Sequence, residues 1–278
     1  MKTLQKAFVL LLIAFLAFGC SSKKEEPVED KTITVGVNPV PHAEILENAV
    51  KPVLEKAGWT LDVVVYQDYV LPNENLVAGE LDANYFQTLG YMNGQNESHG
   101  WKLTAVKGVH IEPMGLYSDK YATATEIPDG AHISVPNDED NRTRAIEFLI
   151  ANDFLNPLEG ELSAATINGN ADANPRGFVI EELEAAQLPL ALADVDASVI
   201  NGNYALGAEL PKNHPALLVE TFNEEATIRR TNFVVCVEGN ENSEKMKALV
   251  EAITSPEVQK YIDDTYKGAV ITSFVDPQ

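Results

Sequence analysis

Three groups of residues in this chain could do chemistry. The first is Asn137 to Ile146 (NDEDNRTRAI), which joins a strand to a helix and places Arg142 and Arg144 in the expected first turn, with Asp140 or Asn141 as the cap. A helix start disfavours cations by a few tenths to about 1 kcal/mol, so arginines there call for a reason. A guanidinium beside free backbone N–H groups makes an anion site, and a carboxylate fits it in bidentate fashion. The plainer possibility is that Asp138, Glu139 and Asp140 neutralise both arginines at the surface. The residues alone leave these two readings level.

The second group is aromatic: Tyr66, Tyr69, Tyr85, Phe86 and Tyr91 flank Leu71-Pro72-Asn73-Glu74 and Asp82-Ala83-Asn84. Aromatics near loops can line a small-molecule pocket or fill a core. The third group is Asn201 and Asn203 after one strand, with Asn232 opening another. Side-chain amides offer both donors and acceptors, which suits a zwitterion, and they serve equally as turn and cap residues.

Catalytic signatures are sparse. The chain has no Gly-x-Ser-x-Gly elbow, no Gly-x-x-x-x-Gly-Lys phosphate loop and no His-Glu-x-x-His helix. Cys236 sits in an apolar strand run, where an inert buried thiol is expected. The histidines, at 42, 99, 110, 132 and 214, are scattered, and neither His42 with Glu44 nor His110 with Glu112 has a further partner at zinc-like spacing. No catalytic residue, metal or cofactor is therefore expected.

With 278 residues, 45 % of them apolar, the chain can form one large or two ordinary domains. Lys plus Arg number 20 against 42 Asp plus Glu, a formal charge of -22 that repels phosphate backbones and argues against nucleic acid as a partner. Two cysteines exclude a disulfide scaffold and a Cys-rich zinc site.

Residues 1–19 read as an export leader: Lys2 and Lys6 precede an apolar run from Ala7 to Gly19, too short to span a bilayer that needs about 20 residues. The run ends in Ala17-Phe18-Gly19-Cys20, which resembles a bacterial lipoprotein signal, with Ala17 where a leucine is usual. That resemblance implies that Cys20 is lipidated and becomes the first mature residue. Residues 20–31 then form an anchor and a polar tether, holding the body at a membrane outside the cytoplasm.

In the body, Ile33 to Val37 and Leu61 to Tyr66 read as strands on either side of a helix striped by Leu46, Ala49, Val50, Val53, Leu54 and Ala57, a βαβ pattern. Asn73 is expected to cap a short helix ending at Gly79, and Leu103 to Ile111 contains another strand. After Pro128-Asp129-Gly130 the pattern restarts with a strand at His132 to Val135 and a helix striped by Ile146, Leu149, Ile150 and Phe154. Ala165 to Ile167, Phe178 to Ile180 and Ser198 to Ile200 are short strand candidates, and Asn232 to Val237 is a strong one. Two helices close the chain, the second opened by Ser255-Pro256.

Taken together, Asp68-Tyr69-Val70-Leu71-Pro72-Asn73, Gly79 to Gln87 (GELDANYFQ), His110 to Ser118 (HIEPMGLYS), Val135-Pro136-Asn137-Asp138 and Ala197-Ser198-Val199-Ile200-Asn201 resemble the methionine ABC transporter substrate-binding lipoproteins. The resemblance implies an α/β, bilobal type II periplasmic-binding-protein fold, two α/β domains joined by a two-strand hinge. Residues 32–115 with 231–278 would form one lobe and 116–230 the other. It implies a free amino acid, methionine, as ligand, delivery to an ABC permease with its ATPase, and action as a monomer. Arg144 would hold the ligand's carboxylate, Asn201 and Asn232 its polar groups, and Tyr69, Phe86 and Tyr91 its side chain. Thr88 stands where the family usually has histidine, and Ile228-Arg229-Arg230-Thr231 where it more often has a Tyr-Val type pair. Another small apolar amino acid or a Met-containing dipeptide is the alternative ligand, and a surface or adhesion lipoprotein the alternative function.

Overall fold

The computed structural model describes residues 30–277, so the leader, Cys20 and most of the tether lie outside the described residues. The β-branched run expected as the first strand forms β1 (Thr32–Val37), which pairs in parallel with β2 (Thr60–Val65) and β3 (Ala83–Thr88). Between β1 and β2 lie π-helical turns at Pro39–Ala43 and Leu46–Val50, followed by α1 (Lys51–Lys56). The remaining strands of this sheet are β4 (Leu103–Ile111), β10 (Thr231–Val237) and β11 (Ile271–Thr272). Their order is β2-β1-β3-β10-β4-β11. A second sheet contains β5 (Gly115–Tyr117), β6 (His132–Pro136), β7 (Val179–Leu183), β8 (Ala197–Ile200) and β9 (Leu218–Val219), in the order β7-β6-β8-β5-β9.

The two sheets follow one plan. Each begins with three parallel strands in the order second, first, third, and the fourth place goes to the strand by which the chain enters from the other sheet: β10 in the first, β5 in the second. The chain therefore crosses twice, at 112–114 and between Arg230 and Thr231. Ile33, Val35 and Val37 pack with Leu249, Ile253, Val258 and Ile262, so the C-terminal helices return to the first sheet. A separate core of Ile133, Val135, Ile146, Leu149, Ile180 and Val199 fills the second half. Each such buried aliphatic side chain contributes about 1.5–3 kcal/mol.

The helices that matter for the site are α2 (Leu71–Val77), α3 (Leu89–His99), α4 (Glu139–Ala151) and α5 (Gly202–Gly207). Three expectations are corrected here. Asn73 does not cap α2 but lies within it, buried among the amides of Asn84 and Gln87. Ala164–Ile167 is a short helix rather than a strand, because Ser163 and Thr166 close a reciprocal capping pair around its start. Asp138, not Asp140 or Asn141, caps α4, so its first turn carries Glu139 and Asp140, as the dipole favours, and both arginines fall beyond it.

Candidate ligand-binding cleft

A cavity lies between the two halves and is lined by residues of both. Tyr69, Phe86, Thr88 and Tyr91 line it from the first half, together with Asn232; Arg144 and Asn201 line it from the second. The structure thus brings together all seven residues singled out for binding. Their elements explain it. Phe86 and Thr88 end β3, Asn232 lies beside Thr88 and His110 in the sheet register, and Asn201 follows β8. β3 and β8 thus bring carboxyl ends of parallel strands to the cavity, where loops leave room for a ligand, and the start of the antiparallel β10 joins them.

The aromatic wall is tight. Tyr69 lies with its ring centroid 5.8 Å from Phe86, 5.8 Å from Tyr91 and 5.0 Å from Tyr204. The Tyr69 hydroxyl donates to Asn203 Oδ1 at 2.6 Å, and that of Tyr91 to the Tyr69 carbonyl at 3.0 Å. Burial pushes both phenols well above their ordinary value, so both are neutral. Tyr66 and Tyr85 point elsewhere: Tyr66 packs in a cluster with Leu76 and Leu81, and Tyr85 lies in the first core.

Arg144 already holds a carboxylate of its own chain. Its Nε donates to both oxygens of Glu220 at 3.0 and 3.1 Å, and its Nη2 donates to Glu220 Oε2 at 2.6 Å and to the Glu112 carbonyl at 2.9 Å. Glu220 Oε2 also accepts from the Met114 amide at 3.0 Å, so this buried pair ties α4 to the first crossing. Among the described residues, Nη1 makes no hydrogen bond. Arg142 turns to another face, where the Leu162 carbonyl, Glu161 and Glu182 accept its donors; neutralisation is real, but not by Asp138 to Asp140.

The two asparagines facing the cavity are held in opposite senses. Asp138 accepts from the amide nitrogen of the Asn141 side chain at 3.0 and 3.2 Å, which leaves Asn141 Oδ1 to accept from Asn201 Nδ2 at 2.8 Å. Asn201 Oδ1 is then a buried acceptor with no hydrogen-bond partner among the described residues. Burial pushes the Asp138 carboxyl up to about 6, so it is ionised at neutral pH and can only accept. Asn232 is held the other way: with the His42 proton on Nε2, the nitrogen facing Glu112, Asn232 Oδ1 accepts it at 3.2 Å and Nδ2 is left as a donor.

His42 belongs to a buried chain. Its Nε2 also lies 3.2 Å from Glu112 Oε1, the same oxygen that accepts from His110 Nε2 at 2.6 Å, and the Tyr85 hydroxyl bonds His110 Nδ1. Burial lowers His42 to about 4 and His110 to about 3, and it raises Glu112, whose opposing influences are His42 and Arg144. The ligand atoms of this trio lie within 4.8 Å of one another. His110 Nε2 donates to Glu112 Oε1 at 2.6 Å, shorter than the ~3.3 Å that tetrahedral zinc sets between two of its ligands, while His42 Nε2 stands 3.2 Å from the same oxygen.

Thr88 has its own work. Its hydroxyl accepts from the Tyr91 amide at 3.3 Å, capping α3, and donates to Asp140 Oδ2 at 3.1 Å across the cleft. Arg230 Nη1 lies 3.7 Å from the other Asp140 oxygen, so the two departures from the family pattern meet at one carboxylate. A Cβ at Gly90 would stand 2.1 Å from Asp140 Oδ1, so a side chain there would displace the Asp140 carboxylate from Thr88. Cavity residues that sequence reasoning missed are Gln87, Glu112, Asn141 and Gly202, while Asn203, grouped there with Asn201, does line it. Glu112 carried a signal, its pairing with His110, but as a metal pair; Asn141 was weighed only as a cap. Cys236 is buried and its thiol is pushed up to about 12, a poor nucleophile.

Residues 33–274 match the family model described as NlpA lipoprotein. Among curated proteins, the membrane lipoprotein TpN32 of Treponema pallidum is 36% identical over 270 residues, 97% of each chain. The methionine-binding lipoprotein MetQ of Bacillus subtilis is 33% identical over 276 residues, 98% of each. Among solved structures, a nutrient-binding protein from Burkholderia cenocepacia bound to methionine superposes with a TM-score of 0.77 at 34% identity, covering 87% of this chain and 100% of that one. The bilobal binding-protein fold expected from the sequence is thus the fold observed.

Proposed function

Because the chain belongs to the NlpA lipoprotein family, we propose that it is a lipid-anchored extracytoplasmic receptor of an ABC importer, binding L-methionine, D-methionine or a close analogue and delivering it to the permease and its ATPase. The observation that carries this reading is the pairing of two amides of opposite sense with an aromatic wall in one small cavity. An amino acid presents an ammonium, a carboxylate and a side chain, and burying either charge unpaired costs several kcal/mol. Asn201 Oδ1, with the Glu112 carboxylate lining the same cavity, suits the ammonium; Asn232 Nδ2 and Arg144 Nη1 suit the carboxylate. Tyr69, Phe86 and Tyr91 then surround the thioether, worth about 0.3–1.5 kcal/mol per contact.

Residues 32–115 with 231–278 and residues 116–230 act as two lobes that close on the ligand, turning about the two crossings. Cys20 carries the lipid anchor, and the protein works as a monomer without catalysis or cofactor. Among the described residues, no helix is long and apolar enough to cross a membrane. The test is a thermal-shift screen of the body from Lys31 onward against the twenty amino acids and Met-containing dipeptides. A ligand at 100 times its dissociation constant stabilises by about 2.7 kcal/mol. Methionine as the leading hit supports the reading, a dipeptide or another apolar amino acid redirects it within the class, and no hit favours a surface lipoprotein that binds nothing small.

A further inference from the structure

The amino-acid reading of the cleft leaves open how two side chains of one chemical type come to serve opposite charges. An asparagine amide can present either its oxygen or its nitrogen, and which one faces a ligand is decided by what holds the other end. Here each amide is held by a chain that begins at a carboxylate, a group that can only accept while ionised. From Asp138, the Asn141 amide must give its nitrogen and keep its oxygen for Asn201, which turns Asn201 Oδ1 into the cavity. Glu112 Oε1 accepts from His110 Nε2 and lies 3.2 Å from His42 Nε2, which favours the His42 proton on Nε2; that proton goes to Asn232 Oδ1 and leaves Asn232 Nδ2 for the ligand.

We propose that Asp138 and His42 are positioning residues that fix opposite polarities in Asn201 and Asn232, and so make the cleft selective for a ligand carrying adjacent ammonium and carboxylate groups. The inference rests on the amino-acid reading above. The chains reach the ligand from different halves of the protein: Asp138 caps α4 at the second sheet, and His42 lies in the π-helical turn after β1 in the first. Burial keeps both histidines neutral, so each has one N–H to give, and the Tyr85 hydroxyl at His110 Nδ1 fixes the tautomer that points Nε2–H at Glu112. Tyr85 and His110 therefore support His42 from behind.

The experiment compares three ligands on wild type and two variants by titration calorimetry at neutral pH: methionine, its desamino analogue (the same thioether acid without the ammonium), and its decarboxylated analogue (the same thioether amine). In Asp138→Asn the helix cap survives, since asparagine caps as well as aspartate, but the acceptor-only anchor is lost and the chain can reverse. The preference for methionine over the desamino analogue is expected to fall by roughly ten- to a hundredfold, the loss of a hydrogen bond to a charged group. The preference over the decarboxylated analogue should hold. In His42→Leu, which removes the donor, the second preference is expected to fall and the first to hold; His42→Gln, which keeps an N–H, should restore part of it. If each variant lowers both preferences together, or neither, the positioning role is wrong and the residues are structural only. Should one variant fail to fold, the other alone supports or overturns the inference. If wild type binds none of the three ligands, the amino-acid reading itself fails and this inference falls with it.

Discussion

The two walls of the cleft use different chemistry. The first half contributes mostly rings, with Tyr69, Phe86 and Tyr91 within 5.8–6.0 Å of one another between centroids. The second contributes Arg144, Asn141, Asn201 and Asn203, the two amides at 141 and 201 held in a polar chain from Asp138 and Arg144 paired with Glu220. The rings gain from contact area and tolerate variation in what they touch, whereas the polar groups have donors and acceptors in fixed places. On the proposed reading, the rings set affinity for an apolar side chain, and the polar groups, Asn232 of the first half among them, set which charges are accepted.

The largest break in that contrast is Arg144→Ala. Removing one partner of a buried pair strands Glu220 as well as weakening the hold on a carboxylate, so binding should fall by ~3–5 kcal/mol, roughly two to four decades in the dissociation constant. Titration calorimetry measures it, and a loss of less than one decade would show that Arg144 serves the hinge alone. Acid comes next. Both His42 and His110 are held below their ordinary 6.5, so the stability they contribute is fully present above that pH and is lost as pH falls from 6.5 towards 4. Asp138, raised from 3.8 to about 6, works the other way, gaining stability over the lower part of the same range. Glu112, also raised by burial, offsets part of the imidazoles' loss as Asp138 does, and the expected outcome is a net loss of stability between neutral pH and pH 4, seen by chemical denaturation, with a shallower slope in His42→Gln.

On the aromatic wall, Phe86→Ala should cost about 1 kcal/mol of methionine affinity, one thioether–ring contact, while the preference over the desamino analogue stays as in wild type. A change in that preference would mean that the walls are not separable. The smallest effect is Arg142→Ala, whose guanidinium is taken by Leu162, Glu161 and Glu182 on another face. It should shift affinity by less than ~1 kcal/mol in the same titration.

What could be read from the sequence followed the range of the forces involved. The strands β1 and β10 announce themselves by runs rich in β-branched residues, β6 by the alternation of Ile133 and Val135, and the closing helices by their apolar stripes, because burial acts on every second or every third and fourth residue. Ala164–Ile167 misled because its cap, Ser163, outweighs the β-propensity of Thr166 and Ile167. At the site, residue types were legible and partners were not. Arg144 meets Glu220 across 76 residues of chain, and His42 meets Asn232 across 190. Neither pairing leaves a periodic trace, so an arginine meant for a ligand and an arginine already satisfied look alike until the chain is folded. The leader reading rests on a short contiguous pattern that needs no fold, and with Cys20 it lies outside the described residues.

The central claim is that this cleft holds one free amino acid by its two charges and an apolar side chain. Isothermal titration of the unfolded-and-refolded body, freed of any co-purified ligand, against methionine at neutral pH tests it most directly. The account predicts saturable binding of one methionine per chain, with the desamino and decarboxylated analogues each weaker by at least about one decade, the worth of a hydrogen bond to a charged group. No heat with methionine, or equal affinity for all three ligands, would contradict it.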